Sequence, residues 1–280
     1  MKRYIIGIDV GGSTTKIVGF SEGVMTSPLF VKATDPLASV YGAFGKFVAE
    51  NGITLSQIEK IMVTGVGAVF IRDRIYGIST ARITEFSAIG LGGLFLSGLE
   101  NAVIVSMGTG TAFVRATKEK SCHLGGTGVG GGTLLGLSNK MLQIRDFETI
   151  METAAGGDID HVDLFIKDIT KGSVNNLTPN VTASNFGKVS DLATKADIAL
   201  GIINMVFQTV GMMAVFCADK AAGEKVVLTG SLTKLPQAEQ IFDDLAAMSG
   251  VDFVIPPNAE FATAAGAALA YEKGFDAEEI

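Results

Sequence analysis

The sequence predicts an α/β protein built from two related half-domains, 1–100 and 101–280, packed about a cleft. Two observations predict it. An apolar strand, a glycine turn and a returning strand rich in β-branched residues occur at 3–20 and again at 102–116. Past residue 136 the pattern turns largely helical, and no Pro/Ser-rich linker separates the halves, so they should pack tightly. The 280 residues are 48% apolar, enough for one large core or two joined ones, which excludes disorder.

In order along the chain, the opening hairpin is followed by a third strand at Val24–Lys32. A helix is expected at 39–51, after Pro36, with Val40, Phe44, Phe47 and Val48 at helical spacing and Gly52 as its stop. A short buried strand at 61–64 leads into the turn Gly65-Val66-Gly67. The second hairpin turns at Gly108-Thr109-Gly110 and ends in a charged bend, Lys118-Glu119-Lys120. After it come a glycine loop at 125–133, a helix at 134–142 and a polar loop at 173–184. Residues 198–218 carry no charge and are long enough for a bilayer span, but Asn204 and Gln208 share one face at i, i+4, as in a soluble core helix with one polar seam. A strand at Val226–Thr229 and a helix near 237–248 follow. The small-residue helix from Ala262 reads equally as a hinge between the halves or as a tightly packed core element. The last six residues, 275–280, are expected to fray as an acidic tail.

Composition narrows the function classes. A net charge of -7 makes the chain a poor ligand for nucleic acid or anionic lipid. The two cysteines, Cys122 and Cys217, form no C-x-x-C, which argues against a disulfide framework and a zinc site. Only residues 4–8 are continuously apolar before Asp9, too short for a secretion signal, so a cytoplasmic, reducing location is expected. Glycine is the outlier, with 35 residues in clusters, and clustered glycine brings backbone close to something.

Three clusters have the chemistry of an anion site. In Asp9-Val10-Gly11-Gly12-Ser13-Thr14-Thr15-Lys16, bare N–H groups at the turn make an anion nest, and the hydroxyls and Lys16 add donors. Asp9 would repel phosphate unless a divalent cation sat between them, which implies Mg²⁺. Ser106-Met107-Gly108-Thr109-Gly110-Thr111 is a second such tip. The loop 125–133 feeds a helix N-terminus, an anion site by geometry and dipole. It contains G-x-G-x-x-G at Gly126, Gly128 and Gly131, yet no buried strand precedes it, and no G-x-x-x-x-G-K-[ST] occurs, so neither a dinucleotide fold nor a P-loop fits.

The series 9–16, 108–111, 125–133, 226–231 and 262–273 resembles the actin, hexokinase and heat-shock chaperone nucleotide-binding superfamily. More closely, nearly the whole chain is similar to the type II pantothenate kinases, above all in Val181-Thr182-Ala183-Ser184-Asn185-Phe186-Gly187 and also at 105–111, 125–136 and 162–171. The resemblance implies two ribonuclease H-like half-domains in an actin-like ATPase fold. It further implies ATP-dependent phosphorylation of pantothenate at its primary hydroxyl, the first step toward coenzyme A, by a homodimer using Mg²⁺. By residue matching, Glu85 in Thr84-Glu85-Phe86 is the general base. Asp9, Gly11, Gly12, Ser13, Thr14, Lys16, Gly108, Thr109, Gly110, Gly131, Gly132, Thr133, Leu134 and Leu135 belong to the ATP site, with Asp9 holding Mg²⁺ through water. Phe147 and Ser231 lie near the nucleoside, and His123, Thr109 and Arg115 face the acceptor.

One position departs from the family. Where it has an arginine for the pantothenate carboxylate, this chain has Cys122-His123, and an imidazole lacks the permanent charge and fork of a guanidinium. Arg115 or Arg82 is left as a substitute, or a neutral acceptor such as pantetheine. Two other kinds of the same fold stay open on residues alone: an ATPase activator of a 2-hydroxyacyl-CoA dehydratase with an iron-sulfur cluster, and a sugar kinase. A catalytically silent ATP-binding scaffold is the non-enzyme alternative.

Overall fold

The computed structural model describes residues 2–32, 35–170 and 179–280. Residues 171–178, with Lys171 and the first half of the polar loop expected at 173–184, lie outside them.

Strand β1 (Tyr4–Val10) turns through the first glycine tip into β2 (Thr14–Ser21), and β3 (Val24–Lys32) completes an antiparallel meander. Helix α1 (Pro36–Glu50) begins three residues before the apolar spacing predicts. Asp35 caps it, accepting a hydrogen bond from Ala38 N at 2.8 Å, and Pro36 takes a first-turn position that needs no amide. Strand β4 (Ile58–Thr64) then joins β1 in parallel, and β5 (Thr80–Arg82) joins β4 in parallel. Next comes α2 (Glu85–Ser97), an element that apolar periodicity does not reveal because Gly90, Gly92 and Gly93 interrupt it.

The second half repeats the plan. Strands β6 (Asn101–Met107), β7 (Thr111–Thr117) and β8 (Ser121–Thr127) form the meander, and β8 takes in Cys122, His123 and two of the loop glycines. Helix α3 (Gly131–Leu142) starts inside the glycine cluster, and α4 (Phe147–Ala154) follows. A small outlying unit holds β9 (Leu164–Phe165), the single turn α5 (Ile166–Ile169) and β10 (Thr182–Ser184). The long α6 (Lys195–Cys217) leads to β11 (Val226–Thr229), α7 (Gln237–Ser249), β12 (Phe253–Val254) and α8 (Ala262–Glu272). Strand β11 pairs in parallel with β6 and with β12. The sheet orders β3-β2-β1-β4-β5 and β8-β7-β6-β11-β12 are thus the same topology twice, with the same strand senses.

The acidic tail does not fray. Residues Glu278–Glu279 form a last strand, β13, antiparallel to β5, and Ile280 packs on the first core. Glu279 pairs with Lys60, whose side chain is almost wholly buried, and Glu278 meets Arg82 at 3.0 Å. A buried ammonium needs a partner, and the tail supplies it.

Each lobe has its own core, Ile6, Ile8, Phe44 and Phe47 in the first and Val105, Phe113, Ile202 and Phe207 in the second. Between them α2 and α8 cross in close contact, and each leans on the sheet of the other half. Helix α8 covers β1 and β4, whereas Ile89 and Leu94 of α2 pack with Ile104 and Val114. The crossing is backbone on backbone: a Cβ at Gly92 would lie 1.7 Å from Ala262 O, and one at Gly266 would lie 1.8 Å from Ala88 O.

Helix α6 is long and apolar enough to cross a membrane, yet its apolar face fills the second core. Its polar seam has a definite task. The fully buried Asp163 accepts from Phe186 N at 2.8 Å, from Asn185 Nδ2 at 3.0 Å and from Asn204 Nδ2 at 2.7 Å. Gln208 accepts from Asn185 and donates to Thr182. The motif at 181–187 is therefore the strap that fixes the outlying unit to α6. Asn204→Leu removes one donor from a buried carboxylate, and we expect a loss of about 2 kcal/mol, read as a lower urea midpoint at unchanged slope.

Candidate active site

Asp9 stands near the end of β1, opposite Lys16 on β2 and beside Thr64 on β4. The residue after Thr64 has to be glycine. Gly65 has φ +87°, and a Cβ there would lie 2.6 Å from Asp9 Oδ1 and 2.7 Å from Val10 O. The turn Gly65-Val66-Gly67, which the sequence marks without a role, is the wall behind the Asp9 carboxylate. Lys16 Nζ lies 4.0 Å from Asp9 Oδ2, with both side chains largely buried. Burial pushes the Asp9 carboxyl above the ordinary carboxylate range, and Lys16 opposes the shift.

Glu85 opens α2, just after its N-cap, Thr84. Its carboxyl is also held above the usual range, by burial first and then by the Asp9 charge, with Lys16 opposing. Among the described residues no hydrogen bond reaches the Glu85 carboxylate, so it is free to accept a proton. Two carboxylates and one lysine leave the centre net negative. The donors are oxygens, and among the described residues no group of three metal-ligating side chains occurs. Such a set suits Mg²⁺, which binds through one or two carboxylates, water and phosphate oxygens.

At the first tip, Gly11 N donates to Thr14 O at 2.9 Å, while Gly12 and Ser13 project into solvent. The second tip and the third cluster form one body. Gly131 N donates to Gly108 O and Gly132 N to Thr109 O, both at 2.8 Å, and a Cβ at Gly130 would lie 2.9 Å from Gly110 Cα. Thr111 Oγ1 donates to Val129 O, and Thr133 Oγ1 to Gly128 O. The amides of Gly131 and Gly132 therefore support the tip from behind and aim the N-terminus of α3 through it. Leu134 is fully buried in the second core, and Leu135 is packed against it.

Gly230, at φ +93°, brings its backbone so close to β6 that a Cβ would lie 2.4 Å from Met107 O, which sets Ser231 beside the second tip. Phe147, the first residue of α4, rests half-buried on the second core. Sequence reasoning missed its neighbour: Asp146, the N-cap of α4, receives Lys32 Nζ at 3.2 Å, and Lys32 is the β3 partner of Thr14. This ion pair ties the first tip to the second lobe.

His123 and Arg115 lie on opposite faces of the second sheet. His123 faces α2 and stacks on Phe86, ring centroids 3.8 Å apart and planes 9° from parallel. Arg115 faces the end of α6, bound to Glu224 at 2.9 and 3.1 Å and to Cys217 O at 2.8 Å. Arg82 is held by Glu278 and Ile71 O. Neither arginine is brought to His123. Cys122, the β8 partner of Arg115, shares its face of the sheet, away from α2. The structure thus gathers Asp9, Lys16, Glu85 and, through Phe86, His123, and it leaves Arg115 outside that group.

Two sheets of one topology, with a glycine tip from each, define a two-lobed actin-like ATPase fold. The sequence pattern of the Fumble family matches residues 99–248, more than half of the chain, and the protein belongs to that family. The chain is 27% identical over 273 residues to the type II pantothenate kinase of Staphylococcus haemolyticus (strain JCSC1435), covering 94% of this chain and 98% of that enzyme. With the type II pantothenate kinase of Bacillus cereus (strain G9842) it shares 28% identity over 242 residues, 81% of this chain and 83% of that one. Among solved structures it is similar to the activator of the 2-hydroxyisocaproyl-CoA dehydratase from Clostridium difficile with bound ADPNP, at TM-score 0.69 and 17% identity over 98% of both chains. It is also similar to a ROK family protein from Streptococcus pneumoniae TIGR4 in complex with sucrose, at TM-score 0.57 and 14% identity over 97% of this chain and 100% of that one. At those identities the structural likeness shows the fold.

Proposed function

We propose that the protein is an ATP-dependent kinase of the pantothenate class, phosphorylating a primary hydroxyl at the entrance to coenzyme A synthesis. The observation that carries this reading is Glu85 within charge range of Asp9 and Lys16: a carboxylate that no hydrogen bond reaches among the described residues, near a second carboxylate and a lysine at a glycine tip. Support comes from relatives named for that activity along most of the chain. The half-domains 1–100 and 101–280 close on the nucleotide. In the first lobe the phosphates face Gly11, Gly12, Ser13, Thr14 and Lys16. In the second they face Gly108, Thr109 and Gly110, backed by Gly131, Gly132 and Thr133, and the nucleoside lies toward Ser231 and Phe147. A bound Mg²⁺ neutralises phosphate charge next to Asp9.

The chemical step is a phosphoryl transfer. The acceptor hydroxyl oxygen forms the new bond to the γ-phosphorus while the bond from that phosphorus to the β–γ bridging oxygen breaks, ADP leaves, and the hydroxyl proton passes to Glu85. The remaining work is positioning and charge neutralisation by Lys16 and the two tips. The enzyme acts as a cytoplasmic homodimer.

Titration calorimetry with MgATP, followed by a coupled ADP-release assay across pantothenate, pantetheine and N-acetylglucosamine, tests the reading. Heat of nucleotide binding and turnover with the first two acceptors, but not the sugar, are expected. Absence of binding heat at saturating nucleotide, or turnover with the sugar alone, overturns it.

A further inference from the structure

Neither Arg82 nor Arg115 reaches the acceptor end of the site, where an anionic substrate would need one. The head of α2 carries Glu85 and, next to it, Phe86, whose ring covers one face of the His123 imidazole. Stacking fixes the plane of the imidazole and leaves its edge, with one donor nitrogen and one acceptor nitrogen in the neutral ring, for a ligand. Among the described residues no hydrogen bond reaches either ring nitrogen.

Four basic groups on the surrounding elements are engaged with carboxylates. Lys16 lies against Asp9, Arg82 against Glu278, Lys118 against Glu100 and Arg115 against Glu224 on the other face of the sheet. Lys120 stands three residues before His123, at the turn between β7 and β8. The charges at the head of α2 are two carboxylates, Glu85 and Asp9, against the single ammonium of Lys16. A carboxylate-ended acceptor would therefore meet like charge and no guanidinium fork, whereas a secondary amide offers one donor and one acceptor to match the imidazole edge.

We infer that the Phe86–His123 stack selects an acceptor ending in a neutral amide, of the pantetheine kind, over the free acid. The inference rests on the kinase reading and names the substrate class of that same site. A hydrogen-bonding pocket discriminates by what it leaves unpaired, so the preference is set at binding and appears in KM more than in kcat.

Initial-rate kinetics at saturating MgATP with pantothenate and pantetheine test it. The wild-type protein should show kcat/KM for pantetheine at least roughly tenfold above that for pantothenate. His123→Arg should lower the pantothenate KM by roughly tenfold and bring the two acceptors level or reverse them. His123→Gln, whose amide offers one donor group and one acceptor without charge, should hold the amide preference. Phe86→Leu should raise the pantetheine KM with little change in kcat. Equal or better use of pantothenate by the wild type, or a ratio that His123→Arg leaves unmoved, overturns the inference while the kinase reading stands. Turnover of neither acceptor by a protein that binds MgATP overturns the kinase reading itself, and the inference with it.

Discussion

Glu85→Gln is expected to lower kcat by roughly 10²-fold or more while calorimetric MgATP binding stays within a few fold of the wild type. The amide keeps the shape of the side chain and its place in the first turn of α2, and removes its charge and its ability to accept a proton. Among the described residues no hydrogen bond depends on the carboxylate, so the loss falls on the chemical step and not on folding. The same residue sets the sign of the pH dependence. Burial and the Asp9 charge raise the Glu85 carboxyl above its ordinary 4.5, and the base is the deprotonated form. The log of kcat/KM should thus climb with pH through an acidic limb centred above 4.5 and level off, and falling pH should switch the enzyme off by protonating Glu85. A limb at or below 4.5 in the wild type, or a variant within tenfold of wild-type turnover, would move the base elsewhere.

What was legible in the sequence follows from which interactions are local. The β1–β2 and β6–β7 hairpins are visible because apolar alternation and a glycine turn act over a few residues, and β3 and β11 were placed to the residue for the same reason. Helix α2 was invisible. Its glycines cost about 1 kcal/mol each in helix propensity against alanine, and only distant contacts explain them: Gly92 meets Ala262 of α8, 170 positions away, Gly93 meets Ile104 and Gly90 meets Ser121. The tail was misread likewise, since Glu278 and Glu279 look solvated until Arg82 and Lys60 stand beside them. At the site, residue types and turns marked Asp9, Lys16 and the tips. The role of Gly65 behind Asp9, the face of the sheet that Arg115 takes and the stacking of Phe86 on His123 are all set by tertiary packing.

The largest stability effect should come from the α2–α8 crossing. Gly266→Ala would place a methyl 1.8 Å from Ala88 O and 2.7 Å from Gly92 N, and Gly92→Ala would place one 1.7 Å from Ala262 O. Carbon atoms rest near 3.5–4.0 Å from their neighbours, so one helix must retreat by more than an ångström. Neither has room. Behind α8, a Cβ at Gly7 of β1 would already lie 2.0 Å from Ala264 O, and behind α2, Gly93 sits against Ile104 and Gly90 against Ser121. Each substitution should therefore cost about 3 kcal/mol, a fall in Tm on the order of 10 °C for a chain of this size. Gly42→Ala is the matched contrast. It lies in α1 with nothing within 4 Å of its Cβ position, and there the added methyl should raise stability by about 0.5–1 kcal/mol. Opposite signs for one chemical change in two helices would confirm that contact, and not helix propensity, selects glycine at the crossing. Because α2 carries Glu85 and Phe86 at its head, any Gly92→Ala protein that folds should also lose kcat, as the displaced helix draws the base from the acceptor. A Gly266→Ala protein melting within a degree or two of the wild type would show that the two backbones do not touch.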